Sequence, residues 1–162
     1  MSDRICIASK GKITAPRSAQ QFVSCDVYLN FGCNGGIPMG AWEWTSITGV
    51  KSWECMPYES GKGHAPSCHA EKAKCHEGGI KTKFLSAKHF SGEKAIMSEI
   101  MKHGSVTAAF NVYKDFMSYK GGVYEHKFGE VLGGYAVKFV GWGDDDGTKF
   151  WRLANSWDPT WG

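Results

Sequence analysis

The amino-acid sequence predicts an α+β fold in which helices come first and antiparallel strands follow. Helix-start signals occur at Ser18 and Pro38, and an apolar stripe with helical spacing runs through residues 91–104. Alternation of the kind typical of strands begins at Val106, and a glycine-containing turn at 143–149 separates two strand-like stretches. These observations together favour a helical first part and a β-sheet second part.

The first two helical segments are short. Residues 3–9 resemble the end of a helix. The stretch "SAQQFVSC" carries a capping box, in which Ser18 accepts a hydrogen bond from the Gln21 N–H while the Gln21 side chain reaches back. We expect the helix that follows to end at about Cys25.

Two longer helices have clearer boundaries. Pro38 suits a first helical position, and Gly49 is a stop signal for the segment between them. In "SGEKAIMSEIMKHG", Gly104 ends a helix whose apolar stripe consists of Ile96, Met97, Ile100 and Met101. The region 50–90 is rich in Cys, Gly, Pro, Ser and Lys, and it is predicted to be a cross-linked loop.

The second part of the chain predicts several strands. Residues 106–112 alternate between apolar and other side chains, 121–126 are short and β-prone, and 135–142 alternate again. The stretch "GDDDGTK" at 143–149 predicts a hairpin turn into a last strand at 150–157. A calcium site at the aspartates is not expected, because the alternating ligands and terminal glutamate of an EF-hand loop are absent.

Charge and hydropathy exclude several function classes. The 162-residue chain has a formal net charge of only +3, and its lysines are scattered rather than clustered, so no nucleic-acid surface is expected. No apolar run reaches the ~18 to 20 residues that cross a bilayer, so no membrane partner is expected. The N-terminal stretch lacks the apolar core of a signal peptide, and as translated the chain is not expected to be secreted.

The cysteines favour an oxidising compartment, which conflicts with the missing signal peptide. All of them fall in the first half of the chain, at Cys6, Cys25, Cys33, Cys55, Cys68 and Cys75. An even number of clustered cysteines in a loop-rich stretch indicates disulfides. The stretch "CHAEKAKCH" at 68–76 has zinc-ligand residue types, but not the paired C-x-x-C spacing of strong zinc sites, so no metal is predicted.

Nine stretches follow one another along the chain: "SDRICI", "SAQQFVSC", "GCNGG", "CMPYES", "GEKAIMSEIMKHG", "FNVYKDF", "YKGGVYEH", "GGYAVKFVGWG" and "LANSWDPTWG". In this order they resemble the papain family of cysteine peptidases, most closely its cathepsin B branch. The resemblance implies a papain-like fold with a helical left lobe, an antiparallel β-barrel right lobe and an active site in the cleft between them. It assigns residues 1–60 to an incomplete left lobe, and residues 61–162 to a disulfide-linked loop and a right lobe lacking its C-terminal strands.

The resemblance also assigns catalytic positions. The family uses a cysteine thiolate at a helix N-terminus, a histidine that pairs with it, an asparagine that orients the imidazole, and a glutamine in the oxyanion hole. Asn155 matches the orienting asparagine, and Trp157 matches the indole that shields it. Tyr135, after the glycine pair, stands at the histidine position. No "CGSCW" stretch for the nucleophile, and no oxyanion glutamine before it, occurs in the chain.

A tyrosine is a poor substitute for that histidine. A free phenol loses its proton only near pH ~10, so at neutral pH it is a hydrogen-bond donor and not a base. The simplest interpretation of Tyr135 is an aromatic side chain that fills a half-buried strand position. We therefore predict that the chain is catalytically inactive.

Part of a peptide-binding surface is also implied by the resemblance. Asn34, Gly35 and Gly36 match the loop whose backbone pairs with an extended peptide, where glycine permits close approach. The remaining assigned substrate-binding residues are Ile37, Pro38, Ala109, Val112, Leu132, Gly134, Ala136 and Trp157. The family's bridge pattern pairs Cys25 with Cys68 and Cys55 with Cys75, and leaves Cys6 and Cys33 as free thiols.

Three functional hypotheses follow. The first is a cathepsin B-like cysteine-peptidase homologue that is inactive in this form. The second is a non-catalytic pseudoprotease that binds an extended peptide or a partner protein in the cleft, or a missing N-terminal segment. The third and weakest is a zinc-stabilised interaction domain. No cofactor is expected, and family members are lysosomal or secreted.

Overall fold

The computed structural model describes residues 1–68 and 82–162, and the chain divides into two compact units, 1–90 and 91–162. The resemblance had placed the division at residue 60 instead. Residues 61–90 belong with the first unit because two links tie this stretch to it. Val50 and Thr82 exchange backbone hydrogen bonds of 2.9 and 3.0 Å, and a disulfide joins Cys25 to Cys68.

The first unit contains three α-helices within its described residues, 1–68 and 82–90. They are α1 (Ser2–Ala8), α2 (Gln20–Cys25) and α3 (Pro38–Thr48), as the sequence signals predicted. Pro38 begins α3, where its missing N–H costs nothing, and Gly49 ends it with a φ of 72°. The local signals are sufficient here because each acts within one turn of the helix end.

The predicted capping box is only half present. The Ser18 hydroxyl accepts a hydrogen bond from the Gln21 N–H at 3.0 Å, as expected. The prediction that Gln21 reaches back to this helix end is wrong. Its amide instead donates to the Gly49 carbonyl at 3.0 Å and accepts from the Lys51 N–H at 2.7 Å. The buried side chain thus binds the backbone of the two residues that flank Val50, just after α3.

The interior of the first unit combines apolar and polar side chains. Ile5, Val50 and Met56 are buried, and the hydroxyl of Ser18 donates to the Met56 carbonyl at 2.6 Å. Gln20 is also fully buried, and its amide oxygen accepts from two backbone N–H groups of the following loop. These hydrogen bonds offset the free-energy cost of removing the polar groups from water.

The cysteines of the first unit agree with the expected pattern where they are described. Cys25 and Cys68 form a disulfide with a Cα–Cα distance of 4.9 Å, as predicted. Cys55 is also disulfide-bonded, and its expected partner Cys75 lies outside the described residues. Cys6 and Cys33 are free thiols, the first half-buried and the second exposed.

The second unit is a helix beside a three-stranded antiparallel sheet. Helix α4 (Glu93–His103) precedes the strands β1 (Val106–Tyr113), β2 (Val131–Asp145) and β3 (Thr148–Ala154), which lie in the order β1–β2–β3. Val112, Phe116 and Val137 form its buried apolar centre. Within the described ranges, no helix has the length and apolar composition needed to span a membrane.

The hairpin between β2 and β3 has the turn that its sequence predicts. Asp146 and Gly147 have φ values of 48° and 86°, and Asp145 pairs with Thr148 across the turn. Two consecutive positive φ angles are characteristic of the two-residue turn that suits the twist of paired strands. The Asp144 carboxylate accepts from the Gly147 N–H at 2.7 Å.

The prediction of a strand at 121–126 is wrong. These residues have no strand partner among the described residues. Tyr124 and His126 instead turn their side chains onto Asp115, which follows β1 in a short 3₁₀ turn (Lys114–Ser118). Side-chain hydrogen bonds to one buried carboxylate replace the ladder hydrogen bonds that a strand would make.

Candidate functional site

The candidate site in the second unit is built around Tyr135 and Asn155. Tyr135 lies on β2 directly opposite Phe110 of β1, and Asn155 follows the last residue of β3. The Tyr135 hydroxyl donates to the Asn155 Oδ1 at 2.5 Å. Pairing of β2 with both neighbouring strands brings these two side chains together although they are 20 residues apart in sequence.

The amide of Asn155 has one orientation. Its Oδ1 accepts from the Ser156 N–H at 2.8 Å as well as from Tyr135, and exchange of its oxygen and nitrogen would place the Nδ2 donor against the Ser156 N–H donor. Its Nδ2 is buried and has no hydrogen-bond partner in the described part of the chain. The acceptor of this amide is therefore fully used, whereas its donor is not.

An aromatic cluster covers this pair. The ring of Trp157 lies 5.1 Å from the ring of Tyr135, and Phe110 approaches Tyr135 edge-on at 6.2 Å. Phe116, only 2% exposed, lies beneath Phe110 and Trp157 at 5.3 and 5.7 Å. Aromatic contacts of this kind fix ring orientation as well as burying apolar surface. The Tyr135 hydroxyl is thus directed at Asn155 by packing on both sides.

The anchor of this cluster was not found from the sequence. Asp115, whose side chain is 8% exposed, accepts hydrogen bonds from the Tyr124 hydroxyl at 2.6 Å and from the Lys127 and Phe128 N–H groups at 2.7 and 3.1 Å. His126 Nδ1 lies 3.1 Å from the same carboxylate. The only sequence signal was an acidic residue among apolar and aromatic ones, which is too common to be specific.

Both partners of the Asp115–Tyr124 hydrogen bond have shifted pKa values. Burial alone raises the pKa of Asp115, but hydrogen bonds from Tyr124, from the backbone of Lys127 and Phe128, and from His126 outweigh it and hold that pKa well below its usual range. Burial, followed by the hydrogen bond to Asp115 and its negative charge, raises the pKa of Tyr124 to about 12. The carboxylate and the neutral phenol are therefore the stable forms of the pair.

The assigned peptide-binding loop in the first unit is a short antiparallel turn. The 3₁₀ turn Gly32–Asn34 and Gly35, with a φ of 95°, reverse the chain. The Phe31 N–H then donates to the Gly35 carbonyl at 2.9 Å, and the Ile37 N–H donates to the Leu29 carbonyl at 3.1 Å. These two hydrogen bonds flank the pair formed by Asn30 and Gly36.

Gly36 leaves its backbone groups open. It is exposed, and neither its N–H nor its C=O has a hydrogen-bond partner among the described residues. In a non-hydrogen-bonded antiparallel pair, the two facing residues direct these groups away from each other. The outer side of Gly36 therefore offers one donor and one acceptor at the spacing that an added strand requires.

The other assigned binding residues do not share one face. Ala109 and Ala136 are direct cross-strand partners, and both are exposed. Val112 is buried, because it lies an odd number of residues from Ala109 and so points to the opposite face of β1. The structure thus brings together two of these three residues on the surface and places the third in the core.

The remaining assigned residues lie at the ends of elements. Leu132 is the extra residue of a bulge in β2 and is 52% exposed, and Gly134 precedes Tyr135 on the same strand. Ile37, 50% exposed, precedes α3, which begins at Pro38. The first pair belongs to the second unit and the other pair to the first unit.

No metal centre is visible in the described part of the chain. No group of three His, Cys, Asp or Glu side chains is arranged there to bind a metal ion. The zinc-ligand types predicted as an alternative at 68–76 lie, apart from Cys68, outside the described residues. That hypothesis stays a prediction.

The profile of papain family cysteine proteases matches residues 1–162 of this sequence. The chain belongs to the papain family of cysteine proteases. Its papain-like α+β fold is likewise evident from solved structures. Procathepsin B S9 from Trypanosoma congolense superposes with a TM-score of 0.84 at 37% identity, over 99% of this chain and 56% of that one.

Other papain-family relatives agree. The cathepsin B-like cysteine proteinase 6 of Caenorhabditis elegans is 38% identical over all of this chain and 50% of its own length. The cathepsin B-like cysteine proteinase of Schistosoma japonicum is 36% identical over all of this chain and 55% of its own length. The chain therefore spans about half the length of the curated relatives that it matches.

Proposed function

We propose that this papain-family chain is a non-catalytic member that holds an extended peptide without cleaving it. The observation that carries the proposal is the 2.5 Å hydrogen bond from the Tyr135 hydroxyl to the Asn155 Oδ1. In the family resemblance, these two residues stand where a histidine and its orienting asparagine lie. The asparagine acceptor that would orient an imidazole is occupied by a phenol.

The chemistry of proteolysis does not fit this pair. A cysteine protease needs an imidazole that forms an ion pair with the thiolate and then protonates the leaving amine. The Tyr135 hydroxyl has its proton directed at the neutral Asn155 amide, and it has no second proton to give. This argument concerns a residue inside the chain, so it is independent of any segment on either side.

Peptide binding is supported by the open backbone of Gly36. The N–H and C=O of this exposed glycine have no partner among the described residues, and strand addition is a common way to bind extended peptides. The side chains of Ile37 and Pro38 lie next to it along the chain. We propose that the backbone of the bound peptide pairs with the backbone of Gly36. Which peptide side chains the site prefers is a question for experiment.

A paired assay tests the catalytic half of this proposal. The chain and its Tyr135→His variant are incubated with a fluorogenic dipeptide amide, with and without a thiol-directed epoxide inhibitor. We expect no turnover from either protein, because nucleophile and base act as a unit and loss of one costs about a million-fold in turnover in a comparable serine system. Inhibitor-sensitive hydrolysis by the unmodified chain would overturn the proposal.

The binding half needs a separate measurement. Fluorescence anisotropy with a labelled, N-acetylated hexapeptide tests whether the chain binds an extended backbone. The matched control is the same hexapeptide N-methylated along its backbone, which removes the donors needed for strand addition. We expect the first peptide to bind and the methylated one to bind about tenfold more weakly or not at all. Equal affinity for both peptides would contradict backbone pairing.

A further inference from the structure

The Asp26 carboxylate lies at the end of α2 and is almost completely buried, with 1% exposure. Its Oδ1 accepts from the Tyr28 N–H at 3.2 Å, and its Oδ2 accepts from the Asn30 Nδ2 at 2.5 Å. A buried carboxylate is costly unless both oxygens have partners. Here both of these hydrogen bonds go to the strand that faces Gly36, and neither goes to the core of the unit.

Asn30 in turn lies directly against Gly36. A Cβ added to Gly36 would come within 1.9 Å of the Asn30 Oδ1 and 2.9 Å of the Asn30 Cα. Real Cβ atoms do not approach other atoms this closely, so the Asn30 side chain occupies the space that any other residue at 36 would need. The orientation of Asn30 is set by its hydrogen bond to Asp26.

We infer that Asp26 and Asn30 are positioning residues, which hold Gly36 in the conformation that leaves its N–H and C=O open for a peptide backbone. The buried carboxylate fixes the Asn30 amide, and this amide packs over the inner side of Gly36. The outer side, with its free donor and acceptor, stays extended between the two flanking hydrogen bonds of Phe31 and Ile37. The identity of the ligand rests on the proposed function.

A buried side chain elsewhere in the unit provides a control that separates the positioning role from a general loss of stability. Gln20 is buried, and none of its side-chain hydrogen bonds goes to residues 26–37: its amide bonds to the N–H groups of Glu59 and Ser60 and to the hydroxyls of Ser24 and Ser60. A Gln20→Ala substitution therefore weakens the unit without removing any hydrogen bond between residues 26 and 37.

The experiment compares Asp26→Asn, Asn30→Ala and Gln20→Ala in the full chain. Amide hydrogen exchange, followed residue by residue by NMR, reports on the Phe31 and Ile37 N–H groups. We expect Asp26→Asn and Asn30→Ala to speed exchange at both amides about tenfold or more, because the turn opens locally. Gln20→Ala is expected to lower the melting temperature. It should not speed exchange at the Phe31 and Ile37 amides more than at the other amides of the unit.

Peptide affinity is measured on the same proteins with the labelled hexapeptide. We expect Asp26→Asn and Asn30→Ala to weaken binding about tenfold, and Gln20→Ala to leave it unchanged at temperatures where the variant is folded. Unchanged exchange at Phe31 and Ile37 in both loop variants would overturn the positioning role. Faster exchange with wild-type affinity would overturn it as well.

Failure of the proposed function has a different signature. If the unmodified chain does not bind the hexapeptide, the proposed peptide-binding function is rejected, and with it the claim that the pair positions Gly36 for a peptide. The exchange rates then still decide whether Asp26 and Asn30 constrain the loop. Asp26→Asn conserves the shape of the side chain, and the circular dichroism spectrum of each variant checks that it is folded before exchange is measured.

Discussion

Two regions of the molecule differ in how their hydrogen-bonding groups are used: the loop at residues 26–37 in the first unit, and the Tyr135–Asn155 pair in the second unit. In the loop, side chains pair with each other on the inner side, and the backbone of Gly36 is left open. In the second unit, the acceptor of Asn155 is filled by Tyr135 and by the Ser156 N–H. One region has free hydrogen-bonding groups for a ligand, whereas the other uses its acceptor internally.

Under the proposed function, peptide binding and the loss of catalysis belong to separate units of this chain. A peptide-pairing edge needs only an extended backbone with free groups, which a local turn provides. A catalytic centre needs several side chains of particular chemistry, and one substitution is enough to remove its function. The predictions that follow perturb one region at a time.

The largest effect is expected from Asp115→Ala, because Asp115 anchors the loop that packs Phe116 beneath Trp157. The substitution leaves the Tyr124 hydroxyl and two backbone N–H groups without their acceptor. We expect the melting temperature of the second unit to fall by roughly 10 °C or more. Tryptophan fluorescence measures this unfolding transition.

Glu125→Ala is the matched control for Asp115→Ala. Glu125 is an exposed carboxylate in the same loop, paired with Lys127, and exposed pairs contribute little. We expect it to shift the melting temperature by less than about 2 °C. A similar shift in both variants would show that Asp115 is not the anchor.

The same carboxylate predicts a pH dependence. Its pKa is lowered in the folded state, so its contribution to stability is complete above the unfolded pKa near ~3.9 and is lost as the pH falls below it. The pKa of Tyr124 is raised to about 12, so its contribution is complete below pH ~10 and is lost as the pH rises above that value.

Urea midpoints measured between pH 2 and pH 7 test the acid limb. We expect the midpoint of the wild-type chain to fall steeply below pH ~4, and that of Asp115→Asn to fall less over the same interval. Asp158→Asn serves as the comparison, since Asp158 has a lowered pKa through hydrogen bonds from the backbone and side chain of Thr160 but lies exposed at the end of the chain. Parallel curves for the wild type and Asp115→Asn would refute the assignment.

A smaller effect is expected from Gly36→Ala in the first unit. The new methyl group would overlap with Asn30, so the loop must shift, at a cost of roughly 1–3 kcal/mol in the free energy of unfolding. We also expect the hexapeptide to bind about tenfold more weakly. Gly61→Ala is the control, because no atom lies within 4 Å of its added Cβ. Equal affinities of the two variants for the hexapeptide would exclude Gly36 from the binding edge.

The smallest effect is expected from Tyr135→Phe. This variant keeps the ring contacts with Phe110 and Trp157 and loses the hydroxyl's hydrogen bond to Asn155 and its longer one, 3.5 Å, with the Ser156 hydroxyl. We expect a loss of about 1 kcal/mol in the free energy of unfolding, measured in urea. Tyr28→Phe, at a residue 67% exposed, is the control and should be neutral. If the two variants have the same free energy of unfolding, the Tyr135 hydroxyl does not contribute to the stability of this site.

Where structure depends on neighbours in sequence, the prediction from sequence was correct. Pro38 and Gly49 mark the ends of α3, and the φ angles of Asp146 and Gly147 make the expected hairpin turn. These signals act within a few residues, so their outcome does not depend on the remainder of the fold. The α+β class follows from the order of such elements, whereas its papain-like form was implied by the family resemblance.

Long-range side-chain pairing was decided by the tertiary structure alone. Gln21 was expected to cap its own helix, yet it donates to the carbonyl of Gly49, just after α3 and 28 residues away in sequence. Residues 121–126 have strand-forming composition, yet Tyr124 and His126 bind Asp115 instead. A side chain bonds to whichever buried group lacks a partner, and only the folded chain determines where that group is.

The candidate site shows the same division. The sequence by itself placed Tyr135 at the histidine position and Asn155 at the asparagine position of a family motif, and so predicted the loss of an imidazole. That the phenol donates to Asn155, and that Asn30, hydrogen-bonded to Asp26, lies against Gly36, emerged from strand pairing and loop packing. Residue identity sets which chemistry is possible at a position, but hydrogen bonds act over about 3 Å, so only the fold decides which groups meet.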